Sequence, residues 1–161
     1  LPKSVITKNK KTSSKSIMGG LLIQDHDNNT DQVKNWISVT KTNPSEQEVL
    51  DLDFAWKICK HVKSNAIVIA KENKTIGIGA GQMNRVGAAK IALEAAKEET
   101  NGAVLASDGF FPFSDTVEIA HEYGISSIIQ PGGSLRDEES IEMCNSKGIS
   151  MIFAKKRHFL H

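Results

Sequence analysis

The sequence predicts a three-layer α/β/α domain built on a mixed sheet. Three observations carry that expectation. From residue 66 onward, strand-like and helix-like segments alternate as hairpin, helix, strand, helix, strand, helix, strand, the order of a sheet clad by helices on both faces. Residues 66–70, Ala-Ile-Val-Ile-Ala, form a near-continuous apolar run, as in a strand buried on both sides. Glycine-bearing turns recur where strands feed helices, at Gly79 and Gly81, Gly109, and Gly132-Gly133. In such a sheet those turns share one edge, the edge where ligands bind. A mainly parallel core with an antiparallel hairpin at one end is the expected arrangement.

Residues 1–16 read as a basic connector, with Lys3, Lys8, Lys10, Lys11 and Lys15 among threonines and serines. A solvated arm is favoured over a polyanion-binding tail. Leu1 stands where a methionine would open a gene product, so a processed chain or a piece of a longer one is expected. Gly19-Gly20 leads into the short strand Leu21-Leu22-Ile23-Gln24, closed by a turn from Asp25 to Asn29. Asp25, His26 and Asp27 are read as that turn, because adjacent residues rarely converge on one ion. Residues 36–40 are a second, weaker strand. Ser45 and Glu48 have capping-box spacing. The helix they open carries Val49, Leu52, Phe54, Ala55, Trp56, Ile58, Cys59 and Val62 at helical spacing, with His61 at its end.

Asn65 then sits at the mouth of the strand 66–70, where a carboxamide offers both a donor and an acceptor to a ligand. A helix C-cap is the competing role. Residues 75–79 complete the hairpin, and a glycine-rich link through Gly81 leads to an alanine-rich helix that runs to about Glu99. The link lacks the third glycine of a dinucleotide fingerprint, having Asn84 there. Arg85 falls in the first helical turn, where the macrodipole disfavours a cation. An anionic ligand or a carboxylate is therefore expected beside it.

The strand 103–106 runs into Ser107-Asp108-Gly109-Phe110-Phe111-Pro112-Phe113-Ser114-Asp115. Three phenylalanines fall within four residues in a chain with only six, two tryptophans and one tyrosine. Aromatic faces beside a carboxylate suit a flat, nitrogen-rich ring. A core role competes for Phe111 and Phe113, and less for Phe110 with Asp115. The next helix stops at Gly124, a strand follows over 125–130, and Pro131 to Arg136 turns into a helix that begins with Asp137, Glu138 and Glu139. That helix stops near Gly148, and residues 149–154 are the last strand.

Composition narrows the function classes. The 161 residues carry 20 Lys+Arg against 19 Asp+Glu, a formal net charge of +1, which argues against a broad nucleic-acid surface. No apolar run is long enough to span a bilayer, and no signal peptide is visible. Cys59 and Cys144 are distant in sequence and form no CxxC pair, so neither a zinc site nor a disulfide framework is implied. A reduced, cytoplasmic setting follows.

Five segments, His61-Val62-Lys63-Ser64-Asn65-Ala66, Gly77-Ile78-Gly79-Ala80-Gly81-Gln82-Met83-Asn84-Arg85, Ser107 through Phe113, Gln130-Pro131-Gly132-Gly133-Ser134, and Arg157-His158-Phe159-Leu160-His161, occur in an order and spacing that closely resemble a known family. It is the bifunctional purine biosynthesis family, which joins phosphoribosylaminoimidazolecarboxamide formyltransferase to IMP cyclohydrolase. The resemblance covers residues 17–161 and lies with the carboxyl-terminal half of the formyltransferase domain. The family usually has alanine and arginine where this chain has Gly109 and Ser114. The loss of the arginine bears on charge contacts made there.

The resemblance implies formyl transfer from 10-formyltetrahydrofolate to the amine of aminoimidazole carboxamide ribotide. It also implies a cytidine deaminase-like fold without zinc, and an active site across a homodimer interface. On the matching positions Asn65, Arg85, Phe110 and Arg157 would contact the ribotide, with Phe159 as a further aromatic wall. Val86, Asp115, Ser134 and Leu135 would contact the folate. Asn65 would orient the reacting groups. Some family members hold a potassium ion near Ser64-Asn65 and Asp108, so that segment is carried as a potassium option. The family's catalytic Lys-His pair lies in a motif without a counterpart here; Lys60-His61 sits in a different one. The chain is therefore expected to need the other half of the same protein. The competing expectation is a non-catalytic nucleotide-binding or dimer-assembly module.

Overall fold

A computed structural model describes residues 12–27 and 33–161. The connector through residue 11, and Asn28 and Asn29 of the first turn, lie outside the described residues. The described residues fall into two compact units, divided between residues 30 and 31.

The first unit contains a two-stranded antiparallel hairpin, β1 (Thr12–Ile17) and β2 (Gly20–Asp25), with Ile17 opposite Gly20. Gly19, at a φ of 75°, supplies the left-handed position of the two-residue turn. The strand 21–24 was expected, but its partner was not: residues 12–16 were read as connector. Thr-Ser-Ser-Lys-Ser has no apolar alternation to mark a strand, and both strands are largely exposed. Pairing across the glycine turn defines β1.

The second unit is a six-stranded mixed sheet in the order β3-β8-β7-β6-β4-β5. Its elements are β3 (Ile37–Ser38), α1 (Glu46–Cys59), β4 (Ile67–Lys71), β5 (Lys74–Gly79), α2 (Arg85–Ala96), β6 (Val104–Ser107), α3 (Asp115–Glu122), β7 (Ser127–Gln130), α4 (Asp137–Lys147) and β8 (Ser150–Phe153). Side chains alternate along the strands. Val68, Ala70, Val104, Ala106, Ile129 and Ile152 pack with Leu52, Ala55, Trp56 and Cys59 of α1. Ile67, Ile69, Leu105, Ile128 and Met151 face the alanines of α2, Val117 of α3 and Cys144 of α4. This is the three-layer α/β/α arrangement, with α1 on one face and α2, α3 and α4 on the other. No helix among the described residues is long and apolar enough to cross a membrane.

The core is less parallel than expected. Only β6–β7 and β7–β8 are parallel, while β3–β8, β4–β5 and β4–β6 are antiparallel. The hairpin does not hang from the sheet by β5. It inserts β4 beside β6, and α2 carries the chain over from β5 to β6, so β5 and β6 run the same way with β4 between them.

Local details follow the chemistry of the chain. Ser45 and Glu48 form the expected capping box at α1. The helix stops at Cys59, so His61 and Val62 lie beyond it. Asp51 interrupts the apolar face of α1 yet is buried, because its carboxylate accepts from the amides of Glu72 (3.0 Å) and Asn73 (2.7 Å). These are the two left-handed residues of the β4–β5 turn, so a helix side chain holds the hairpin in place. Helix α2 ends at Ala96, ahead of the expected Glu99, because Lys97 takes a φ of 50° and opens a tighter 3-10 turn. Burial pushes the Cys144 thiol up to about 12 and the Cys59 thiol well above its ordinary value, so both cysteines serve as packing groups.

Candidate functional site

The topology brings the flagged turns to one edge. Ile67 of β4 pairs with Ser107 of β6 in antiparallel register, so the residues just before β4 and just after β6 are neighbours. The carboxyl ends of β5, β7 and β8 lie on this same edge, because those strands run parallel to β6. There Asn65, Met83, Asn84, Arg85, Phe110, Pro112 and Phe159 line a cavity of about 280 Å³. A second cavity of about 350 Å³ lies against Pro131, Gly132, Gly133, Phe153, Lys155 and Arg157.

Between these turns sits a buried polar cluster. Asp108 is fully buried. Arg85 Nη1 donates to its Oδ1 and to the Ala66 carbonyl (3.1 Å). The Ser64 hydroxyl donates to the other carboxylate oxygen at 2.5 Å. Arg85 Nη2 donates to Asn65 Oδ1 (3.0 Å), and Asn65 Nδ2 donates to the Gln82 carbonyl (2.9 Å). The carboxamide of Asn65 is thereby held in one orientation, with its second N–H and one lone pair left for a ligand. Arg85 Nε has no hydrogen-bond partner and is buried.

The carboxylate expected beside Arg85 is thus Asp108. The misplaced cation at the helix start was the signal for it; which carboxylate answers was not legible. Ser64 entered the sequence reading only within a matching segment and the potassium option, not as a hydrogen-bond partner of Asp108. Met83, Asn84 and Pro112 also line the cavity without having been singled out. The potassium option falls on this same cluster, where the two oxygens of Asp108 accept from Arg85 and Ser64.

The aromatic cluster divides. Phe111 is fully buried in the core. Phe110 is half-buried and lines the cavity. Phe113 is exposed beneath the guanidinium of Arg136, 4.7 Å from its ring centre. Arg157 lies over Phe110 at 5.4 Å and Phe159 at 5.9 Å, within cation–π reach. A Cβ on Gly109 would strike Arg85 Nη2 and stand 3.0 Å from Phe159 Cε1, so the missing side chain makes room for the guanidinium.

Asn65, Arg85, Phe110 and Phe159 therefore share one cavity, while Arg157 lines the second cavity and overlies the Phe110 and Phe159 rings of the first. Val86, Asp115, Ser134 and Leu135 do not join them. Val86 is half-buried in the first turn of α2. Asp115 is exposed at the start of α3, where its carboxylate accepts from the Thr116 amide (2.8 Å). Ser134 Oγ accepts from the Arg136 amide (3.1 Å), and Leu135 is fully exposed.

Comparison with known proteins follows this geometry. The family model described as AICARFT/IMPCHase bienzyme matches residues 2–95. The bifunctional purine biosynthesis protein PurH of Prochlorococcus marinus (strain MIT 9215) is 74% identical over the whole chain, which spans 31% of that protein. PurH of strain NATL1A is 62% identical over 97% of the chain, which spans 30% of that protein. Among solved structures, a diaminohydroxyphosphoribosylaminopyrimidine deaminase/reductase from Thermotoga maritima overlaps 65% of this chain and 34% of its own, at 20% identity and a TM-score of 0.42, a likeness too slight to bear on function. The family match over more than half of the residues places the conclusion on firm ground: the chain belongs to the AICARFT/IMPCHase bienzyme family.

Proposed function

We propose that this chain is the second, ligand-contacting half of a formyltransferase domain. In that role it serves formyl transfer from 10-formyltetrahydrofolate to the amine of aminoimidazole carboxamide ribotide, in cytoplasmic purine biosynthesis by a homodimeric protein. The observation that carries the reading is the convergence of Asn65, Arg85, Phe110 and Phe159 on one cavity, with Arg157 beside it. Phe110 and Phe159 wall a flat ring. Arg157 offers a planar fork to a phosphate. Asn65, held by Arg85 and Gln82, presents its remaining N–H to a formyl or carboxamide oxygen.

An amine conjugated to a carboxamide is a weak nucleophile, so its attack needs a base as well as positioning. None of these cavity residues is a base at neutral pH. The proton chemistry is assigned to the Lys-His pair of the other half, and this chain supplies contacts and architecture. The test is a formyl-transfer assay of the purified chain, alone and with the other half-domain added. The expected result is no turnover alone and turnover on mixing. Proton transfer by a positioned group is worth about a hundred- to ten-thousand-fold. Turnover by the chain alone near the rate of a full-length relative would overturn the assignment and turn attention to His61, His121, His158 and His161.

Asp115 is assigned to the amino-pyrimidinone edge of the folate. Its carboxylate is exposed and accepts from the Thr116 amide (2.8 Å) and hydroxyl (3.5 Å) at one oxygen, so the other oxygen retains acceptor capacity. In the full-length protein, Asp115→Asn is expected to weaken folate binding by about 1.5–3 kcal/mol and ribotide binding much less, read by titration calorimetry with each ligand. A drop in thermal stability with folate affinity intact would assign Asp115 to capping α3 alone.

A further inference from the structure

We infer that the Ser64 hydroxyl is a positioning group for the cavity, latching the C-terminal segment to the Asp108 cluster. Residues 154–161 form no helix or strand, yet the segment that provides the Phe159 wall is held at defined points. The Ser64 amide donates to the Leu160 carbonyl (3.0 Å), and the Leu160 amide donates back to Ser64 Oγ (3.1 Å). The His158 amide donates to the Asp108 carbonyl (3.0 Å), and its ring lies 4.4 Å from that of Trp56. Phe159 sits between these two anchors.

The Ser64 hydroxyl is the shared member. It accepts from the tail and donates to Asp108, whose other oxygen holds Arg85 and, through it, Asn65. One side chain thus fixes the aromatic wall and the polar wall of the cavity relative to each other. A hydroxyl suits the task because it donates and accepts at once. Its donation to an ionised acceptor makes the stronger kind of hydrogen bond.

The inference rests on the ribotide reading of the cavity, so its test has two readouts. In the full-length protein carrying this sequence, Ser64→Ala is expected to speed hydrogen exchange at the Leu160 amide by about tenfold, leaving the β6 amides unchanged. The ribotide KM should rise by about tenfold with kcat within about twofold, the signature of lost ground-state positioning. Ser64→Thr, which keeps the hydroxyl, should restore both. Removing Leu160 and His161 takes away both tail bonds without touching Ser64, and should raise KM similarly.

Exchange at Leu160 unchanged by Ser64→Ala would overturn the latch. So would faster exchange in Ser64→Ala with a KM unchanged both there and in the truncated variant. Failure of the parent protein to bind ribotide would end the ribotide reading instead, and the exchange rate alone would then decide whether Ser64 holds the tail.

Discussion

Arg85→Met is expected to cost about 3–5 kcal/mol of folding stability, measured as a shift in the urea midpoint at constant slope. Asp108 is completely buried and Arg85 nearly so. Removing the guanidinium leaves a carboxylate in the interior with the Ser64 hydroxyl as its remaining side-chain partner. A single domain commonly has about 5–15 kcal/mol in hand, so the variant should be marginal at 37 °C. Arg85→Lys should recover little. An ammonium cannot fork to Asp108, the Ala66 carbonyl and Asn65 in the fixed plane that Arg85 uses. The double variant Arg85→Met with Asp108→Leu should be more stable than Arg85→Met alone, because an apolar pair carries no desolvated charge. A loss below about 1 kcal/mol for Arg85→Met would mean that the pair behaves as a surface bridge and that Asp108 is balanced by another group.

Gly79→Ala is expected to cost about 3 kcal/mol and to loosen the cavity. A Cβ there would land on the Ala88 carbonyl of α2, and one on Gly77 would land on the Ala92 carbonyl, 3.2 Å from Ala96 Cβ. Two glycines on alternate positions of β5 thus meet alanines four residues apart on α2, backbone against backbone. Backbone atoms cannot swing aside as a flexible side chain does, so the whole helix must lift. Arg85 is the first residue of that helix, so the lift would strain its pairing with Asp108. Thermal melts should show the loss, and an increased exchange rate at the Ser64 and Leu160 amides should show the disturbance reaching the site. Gly20→Ala is the control. Its Cβ would meet only ordinary contacts at 3.7 Å, and a change within about 0.5 kcal/mol is expected. Equal behaviour of the two variants would mean that α2 does not press on β5.

Much of this molecule is legible before any coordinates. Ser45 and Glu48 announce the start of α1, because a capping box is satisfied by residues three apart. The near-continuous apolar run over residues 66–70 announces a strand buried on both faces, and Gly124 and Gly148 announce helix ends. Arg85 announces a nearby negative charge by sitting where the helix dipole repels it. Each of these signals is local, set by neighbours within about one helical turn or two strand positions.

What the tertiary structure alone decided depends on residues far apart in the chain. Asp108 answers Arg85 from 23 positions away, Ser64 reaches Asp108 across 44, and the tail returns to Ser64 across 96. The insertion of β4 between β5 and β6 decides that Asn65 and Phe110 meet at one edge. Of two adjacent phenylalanines, Phe111 enters the core and Phe110 faces the cavity, since the chain leaving β6 can turn only one of them inward. A polar strand such as β1 is defined by its partner and not by its own pattern. Local preference selects the elements because it needs only near neighbours. Strand order, buried charge pairs and the walls of the site require the chain to close long loops first, and the interactions that reward that closure exist only once the distant segments are in place.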